Sequence, residues 1–247
     1  MVNPLGPSVL ITGANRGLGL AFVKELVKQK QVTDVFAACR NPANANELNA
    51  LAKAHPSVQL LQMDVSNDSE IADAVKQVSK KLGNRGLNVL INNAAILTFT
   101  GAEYSNPQRK VLEEHMAINI VGPIMVTDAF LPLLRKDSSA EKPSLVVNIS
   151  SESGSVRDAQ PPAQGNIAYG ITKAGLNMYT RYLASGEKYN HVVTVSVHPG
   201  WLRTDMGTEH APNSVESGAS AVLESISKLG IDDNGRFINN KGQDMNF

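Results

Sequence analysis

The chain has 247 residues, 42% of them apolar and 19% charged; it can bury a full core, and this composition excludes an intrinsically disordered chain. Lysine plus arginine, 23, balances aspartate plus glutamate, 23, so no global field draws nucleic acid or an anionic membrane, and a phosphate must be caught by a local basic site. The single cysteine, Cys39, excludes an internal disulfide framework or a cysteine-rich zinc site and suits a reducing compartment.

The opening MVNPLGPSVLITG has no basic leader and runs straight into a predicted strand, and the closing MNF is no peroxisomal or lipidation address. No continuous apolar run approaches the roughly 18 residues of a membrane span. The expectation is a cytoplasmic protein with no nucleic-acid and no membrane partner.

Short apolar runs predict seven strands, at residues 9–11, 35–38, 60–61, 89–91, 145–147, 192–195 and 237–238. Most are continuously apolar, as in parallel strands covered on both faces. Between them the helical period is plain. Leu18, Phe22 and Leu26 recur at i, i+4 and i+8; Ile71, Val75, Val78 and Leu82 share one face. Val215, Ala219, Val222, Ile226 and Leu229 repeat that spacing near the end. Strand and helix alternate without a break, repeat or linker. That predicts one domain over residues 1–247, of α/β class, with a doubly wound, mostly parallel seven-stranded sheet and helices on both faces.

In such a sheet a ligand binds outside the carboxyl ends of the strands. The polar and glycine-rich clusters fall there: TGANRG after the first strand, NNAA after the fourth, NISSESG after the fifth and HPGWLRTD after the sixth. In the first, Gly13 allows a tight turn, Gly17 a close approach of pyrophosphate to backbone, and Gly19 close packing of the helix. The helix start offers N–H groups and a positive dipole end to phosphates. At the end of the second strand no carboxylate stands ready for a ribose 2′-hydroxyl. Arg40 stands there instead, with Arg16 as a possible flank, which favours NADP(H) over NAD(H); the plain alternative is a solvated surface arginine.

Tyr169 and Lys173 stand at i and i+4 on one helix face. A free phenol, with a pKa of about 10, is a poor acid at neutral pH, and a neighbouring ammonium lowers that value. The pair can act as general acid in a reduction or general base in an oxidation. Ser150 and Ser151, after the fifth strand, could hold a carbonyl oxygen or serve ordinary turn chemistry.

Together these motifs resemble the short-chain dehydrogenases/reductases, a family with a Rossmann-type single domain, over nearly the whole chain from Ser8 to Ile238. The family's glycine motif corresponds to Thr12–Gly19, its adenine-ring aspartate to Asp64, followed by Val65, and its NNAG to Asn92-Asn93-Ala94-Ala95. Its mid-helix asparagine corresponds to Asn119, its serine to Ser151, its YxxxK to Tyr169 and Lys173, its PG to Pro199-Gly200 and the threonine after it to Thr204. HPGWLRTDMG with the late SISKLG and NGRFIN is most similar to the sniffer-type carbonyl reductases. The resemblance implies a cytosolic NADPH-dependent reductase of aldehydes, ketones or quinones. Its catalytic residues would be Ser151, Tyr169, Lys173 and Asn119. Its cofactor-binding residues would be Gly13, Asn15, Arg16, Gly17, Leu18, Gly19, Arg40, Asp64, Val65, Asn92, Ala94, Tyr169, Lys173, Pro199, Gly200 and Thr204. Hydride would pass to the carbonyl carbon while Tyr169 protonates the oxygen, Lys173 would lower the Tyr169 pKa and bind ribose, and Asn119 would kink its helix and hold a relay water.

Two departures stand out. Ala95 replaces the last glycine of NNAG, and 17 residues separate Ser151 from Tyr169, more than is usual in the family. The excess, residues 157–165, is expected to line or cover the substrate cleft. The same site could run an alcohol or steroid oxidation, or bind NADP as a sensor; sensors of this family usually lack the tyrosine or the lysine, and both are present. The segment after Gly200, with Trp201 and Met206, is either a flap over the nicotinamide or a plain surface loop. A homodimer through the helices of Asn119 and Tyr169 would use Ala168, Ile171, Leu176, Tyr179 and Leu183.

The five histidines form no metal-ligand spacing, and His198 is expected to be a packed strand-end residue. No G-x-S-x-G and no P-loop sequence occurs, which removes an α/β-hydrolase and a P-loop NTPase.

Overall fold

The computed structural model describes residues 5–159 and 166–247. All seven predicted strands form: β1 (Ser8–Thr12), β2 (Asp34–Cys39), β3 (Val58–Gln62), β4 (Val89–Asn92), β5 (Ser144–Ile149), β6 (Val192–His198) and β7 (Phe237–Asn239). They make one sheet in the order β3-β2-β1-β4-β5-β6-β7, and every pair is parallel. The chain winds outward from β1 to β3 and then returns to lay β4 on the other side of β1. A crevice opens at that reversal, beyond the carboxyl ends of β1 and β4.

The continuous apolar runs work because successive side chains point to opposite faces. From β1, Val9 and Ile11 join a core layer with Phe22 and Leu26 of α1 (Gly17–Leu26) and Val222 and Ile226 of α7 (Val215–Ile226). Between them, Leu10 joins the opposite layer, with Val78 of α3 (Asp68–Leu82) and Phe130 of α5 (Gly122–Arg135). The predicted helical stripes are the ones turned to the core; Leu18, Val75 and Val215 sit at the layer margins. The short α2 (Asn46–Ala54) anchors through Leu48.

One rung of the sheet is polar. Asn92, Asn148 and Ser196 are register partners on β4, β5 and β6. Asn92 Nδ2 donates to Asn148 Oδ1 (2.8 Å) and to Thr127 Oγ1 on α5 (2.9 Å). Asn148 Nδ2 donates to Thr180 Oγ1 (2.9 Å) on α6 (Ile167–Gly186), and Thr180 shares a hydrogen bond with Ser196 Oγ (2.8 Å).

A helix of 27 residues, Arg109–Arg135, consists of α4 (Arg109–Met116), a π-helical segment Ala117–Val121, and α5. By length and composition it could cross a membrane, although no continuous apolar run in the sequence suggested one; half of its most apolar window is buried inside this protein instead. Its π turn is centred on Asn119, where the resemblance predicted a kink.

Candidate active site

The glycine loop between β1 and α1 is held by backbone geometry. Gly13 (φ 64°) and Gly17 (φ 52°) both adopt left-handed conformations. A Cβ at Gly19 would lie 2.2 Å from the Gly13 carbonyl oxygen and 2.6 Å from Asn93 Nδ2, so the helix start fits only a glycine there. The end of β4 clamps the loop: Asn93 Nδ2 donates to the Thr12 carbonyl (2.8 Å), and Thr12 Oγ1 accepts from the Asn93 and Ala94 N–H groups (3.0 and 2.9 Å). Arg16 caps α1 without any side-chain acceptor, leaving the first-turn N–H groups to face the cleft.

The cleft itself measures about 1460 Å³. That exceeds the roughly 300–1,000 Å³ usual for a drug-sized ligand and leaves room for a dinucleotide beside a substrate. Sixteen of the eighteen predicted site residues line it. Arg40, at the end of β2, is exposed and carries no ion pair among the described residues. Arg16 is engaged across the mouth with Asp205 at 2.6 Å, both side chains largely in solvent. Asp64 accepts from the Ser66 N–H (2.9 Å) and hydroxyl (2.7 Å), and Val65 packs on Gly122.

Asn92 and Asn119 are the two that do not line the cleft. The Asn92 amide belongs to the polar rung beneath it, and Asn93, the next residue, occupies the cleft wall. The resemblance points to Asn92, but strand alternation turns its amide into the sheet and leaves Asn93 at the cleft. Asn119 is buried, exchanging two hydrogen bonds with the Ile96 backbone (2.8 and 2.9 Å) and donating to Thr172 Oγ1 (3.1 Å). It ties the segment after β4 to α6.

Ser151 and Tyr169 face the cleft together, the Ser151 hydroxyl near enough to the phenol to hold its pKa down in part. Ser150 does not compete, because its hydroxyl is buried and donates to Asn177 Oδ1 at 2.7 Å. Tyr169 opens α6, whose N-cap Asn166 accepts the Tyr169 N–H (3.0 Å) and donates to the Thr98 carbonyl (2.7 Å). Asn166 is a positioning residue that the motif reading missed; an asparagine three residues before a tyrosine at a helix start was the available signal. Lys173, one turn on, is buried, with Nζ donating to the Ile149 carbonyl (2.7 Å) and lying 5.4 Å from the centre of the Tyr169 ring.

The electrostatics differ from the sequence expectation. Burial pushes the Tyr169 phenol up to about 12, against which the Ser151 hydroxyl acts only in part. Burial also lowers the Lys173 ammonium to about 8. Desolvation outweighs the attraction expected of the pair, so at neutral pH the phenol keeps its proton while Lys173 is still mostly charged.

The segment after β6 is internally braced. Trp201 Nε1 donates to the Gly207 carbonyl (2.6 Å), Arg203 to the Ala211 and Pro212 carbonyls (both 3.0 Å), and Thr204 Oγ1 accepts the Gly207 N–H (3.0 Å). Gly200 (φ 89°) makes the turn into it. Leu97, Phe99, Trp201 and Met206 give the catalytic end of the cleft an apolar wall, while Glu152 and His198 stand beside Ser151. Of the expected covering segment, residues 160–165 lie outside the described residues.

The model of the family described as short chain dehydrogenase matches residues 7–214. The carbonyl reductase Sniffer of D. melanogaster is 35% identical, with a TM-score of 0.93 and 100% of both chains covered. An NADPH-bound carbonyl reductase from chicken fatty liver is also 35% identical, with a TM-score of 0.92 over 97% of this chain and 98% of that one. An uncharacterized oxidoreductase of Schizosaccharomyces pombe is 34% identical over 96% of each chain.

Proposed function

The chain belongs to the short-chain dehydrogenase family, and from that footing we propose that it is an NADPH-dependent carbonyl reductase acting on aldehydes, ketones or quinones. One observation carries the reading: Ser151, Tyr169 and Lys173 line the same cleft as the glycine loop, with the lysine buried one helical turn from the phenol and its Nζ 5.4 Å from the ring centre. The phenol carries the proton a reduction needs, but with its pKa pushed up to about 12 it is a weak acid, so delivery of that proton calls on the Lys173 ammonium and the bound cofactor to stabilise the phenolate.

The residues fit the cofactor. Gly13 and Gly17 hold conformations open to glycine, Gly17 has only Thr204 Cγ2 within 4 Å of where a Cβ would stand (3.7 Å), and the first-turn N–H groups of α1 are uncapped. Bound there, NADPH would supply the hydride for the carbonyl carbon. The glycine loop would hold the pyrophosphate, Asp64 and Val65 the adenine end, Arg40 the 2′-phosphate, and Ala94, Pro199, Gly200 and Thr204 the nicotinamide end. Ser151 orients the carbonyl oxygen and Tyr169 delivers its proton to it. The phenolate so formed is stabilised by Ser151 and by the Lys173 ammonium, which passes a proton to it, and the neutral amine left behind is reprotonated from solvent past the π turn at Asn119. The apolar wall of Leu97, Phe99, Trp201 and Met206 suits a hydrophobic carbonyl compound, whose binding would cover the exposed Phe99 and Trp201.

Assembly as a homodimer is part of the proposal. Of the five residues put forward from sequence, Ala168, Leu176 and Leu183 are buried in the protein and Tyr179 packs against its core, so only Ile171 stays exposed. Val121, Met125, Met178 and Tyr182 are exposed with it and supply the apolar area instead. Sedimentation at micromolar concentration decides between monomer and dimer.

The test of function is NADPH and NADH oxidation against quinones, dicarbonyls and aldehydes, with Tyr169→Phe as control. The expected result is turnover with NADPH that falls about 10²- to 10⁴-fold in the variant while NADPH binding persists. Tight NADPH binding with no turnover on any carbonyl would overturn the reading in favour of a sensor.

A further inference from the structure

His198 lines the cleft beside Ser151, its side chain 13% exposed, and the reductase mechanism leaves it without a task. Strands β5 and β6 pair up to Ile149 and Val197, and the last rung is the Ser150 N–H donating to the Val197 carbonyl (2.8 Å). Beyond that rung the backbone ladder stops. The peptide joining Ser151 to Glu152 is then gripped from two sides. Its carbonyl accepts the Gly154 N–H (2.9 Å), and its N–H donates to His198 Nδ1 (3.2 Å). An imidazole side chain thus continues the strand pairing by one more rung, at the residue whose hydroxyl faces the cleft with Tyr169.

We propose that His198 is a positioning residue for Ser151, holding the Ser151–Glu152 peptide through an Nδ1 that must stay unprotonated. The role rests on the reductase reading of the site. Accepting at Nδ1 requires the ring proton on Nε2, which points toward Glu152 Oε2 at 3.8 Å. Protonation would set an Nδ1–H against the Glu152 N–H, donor against donor, and release the peptide that aims the Ser151 hydroxyl.

The surroundings favour the neutral ring. Burial draws the His198 pKa below the usual histidine range, and the Glu152 carboxylate opposes that shift. Glu152 is the charged group facing the ring among the described residues. Lys173 is turned to the Ile149 carbonyl on β5, and the register partner on β7 is the uncharged Asn239. Reduction should therefore lose rate on the acid side, at a pH below that of an ordinary histidine, as the Nδ1 acceptor disappears.

His198→Leu removes the acceptor, and His198→Asn restores an oxygen near the place of Nδ1. The expected result is a kcat about 10- to 100-fold lower for the leucine variant, with KM for NADPH unchanged and most of the rate recovered in the asparagine variant. The acid limb should be absent from His198→Asn, whose amide does not titrate. In a Ser151→Ala background the leucine substitution should add little, because it acts through Ser151. Nitrogen NMR of the resting protein supplies a readout independent of turnover, and it should show the Nε2–H tautomer. A Nδ1–H tautomer, or a leucine variant with wild-type kcat and pH profile in an active enzyme, overturns the role of His198 alone. If His198→Leu fails to fold, an acid limb that persists in His198→Asn overturns it. A wild-type protein with no NADPH-dependent turnover overturns the reductase reading, and the positioning role with it.

Discussion

The two walls of the cleft are made of different material. The wall beyond β1 and β4 is shaped mainly by backbone: two left-handed glycines and a third glycine pressed on a carbonyl, with the Thr12–Asn93 side-chain clamp holding the loop to strands that are wholly buried. The wall at β5 and β6 is side chain: Ser151, Tyr169, Lys173 and His198, held by hydrogen bonds between residues far apart in sequence, beside the locally braced segment after Gly200. Backbone recognises a ligand part that does not vary, a pyrophosphate. Side chains can be exchanged one at a time, which suits a proton-transfer site and a substrate that differs between relatives.

Substitutions on each wall should fail in different ways. The largest effect is expected on the side-chain wall, at Lys173→Met. Loss of the ammonium should lower kcat about 100-fold or more, as removal of one preorganised charge does, and yet raise the melting temperature at pH 7. The folded pKa of Lys173, about 8, lies below the ordinary lysine value, so burying its charge costs stability below pH 8 and the cost fades as pH rises toward the unfolded value. In the wild type the reductive kcat should fall above about pH 8 as this ammonium is lost. A flat profile from pH 7 to 9 would separate Lys173 from the rate. Gly19→Ala, on the backbone wall, should show the reverse pattern. The added methyl meets the Gly13 carbonyl, costing about 1–3 kcal/mol of stability and weakening NADPH in step, measured by thermal unfolding with and without cofactor.

Arg40→Ala should weaken NADPH binding about 10- to 100-fold, the 1.5–3 kcal/mol of a charge-assisted hydrogen bond, and leave NADH unchanged; equal loss for both in a fluorescence titration would make Arg40 structural. The smallest effect belongs to an exposed ion pair across the mouth of the cleft. Asp205→Asn breaks the exposed contact to Arg16 and should shift stability by less than about 1 kcal/mol, while NADPH binding holds or tightens as Arg16 is released.

The same division decides what could be seen in the sequence. The seven strands were legible because each is an apolar run too short for a helix, and the glycine loop because its spacing is a backbone requirement written in residue types. Tyr169 and Lys173 were legible through helical spacing. That Ser150 turns its hydroxyl to Asn177 and leaves Ser151 at the cleft is visible only in the packed structure. The direction of Asn92 depends on strand phase at a strand end, which composition does not fix. His198 and Glu152, 46 positions apart, meet only because β5 and β6 are neighbours. The phenol pKa was misjudged because desolvation is a property of the packed site and no spacing encodes it.

The polar rung through Asn92, Asn148 and Ser196 bears on all of these. Parallel strands rich in valine, leucine and isoleucine could slide past one another by two residues and still present apolar faces to both layers. A slide of that kind would strand buried amides and hydroxyls without partners, a penalty of about 1–3 kcal/mol for each group, so the rung acts as an index pin for β4, β5 and β6. Ala94, Ser151 and Pro199, which leave those strands two or three residues beyond the rung, all line the cleft, so the floor of the cleft is held in register from below by side chains buried in the sheet.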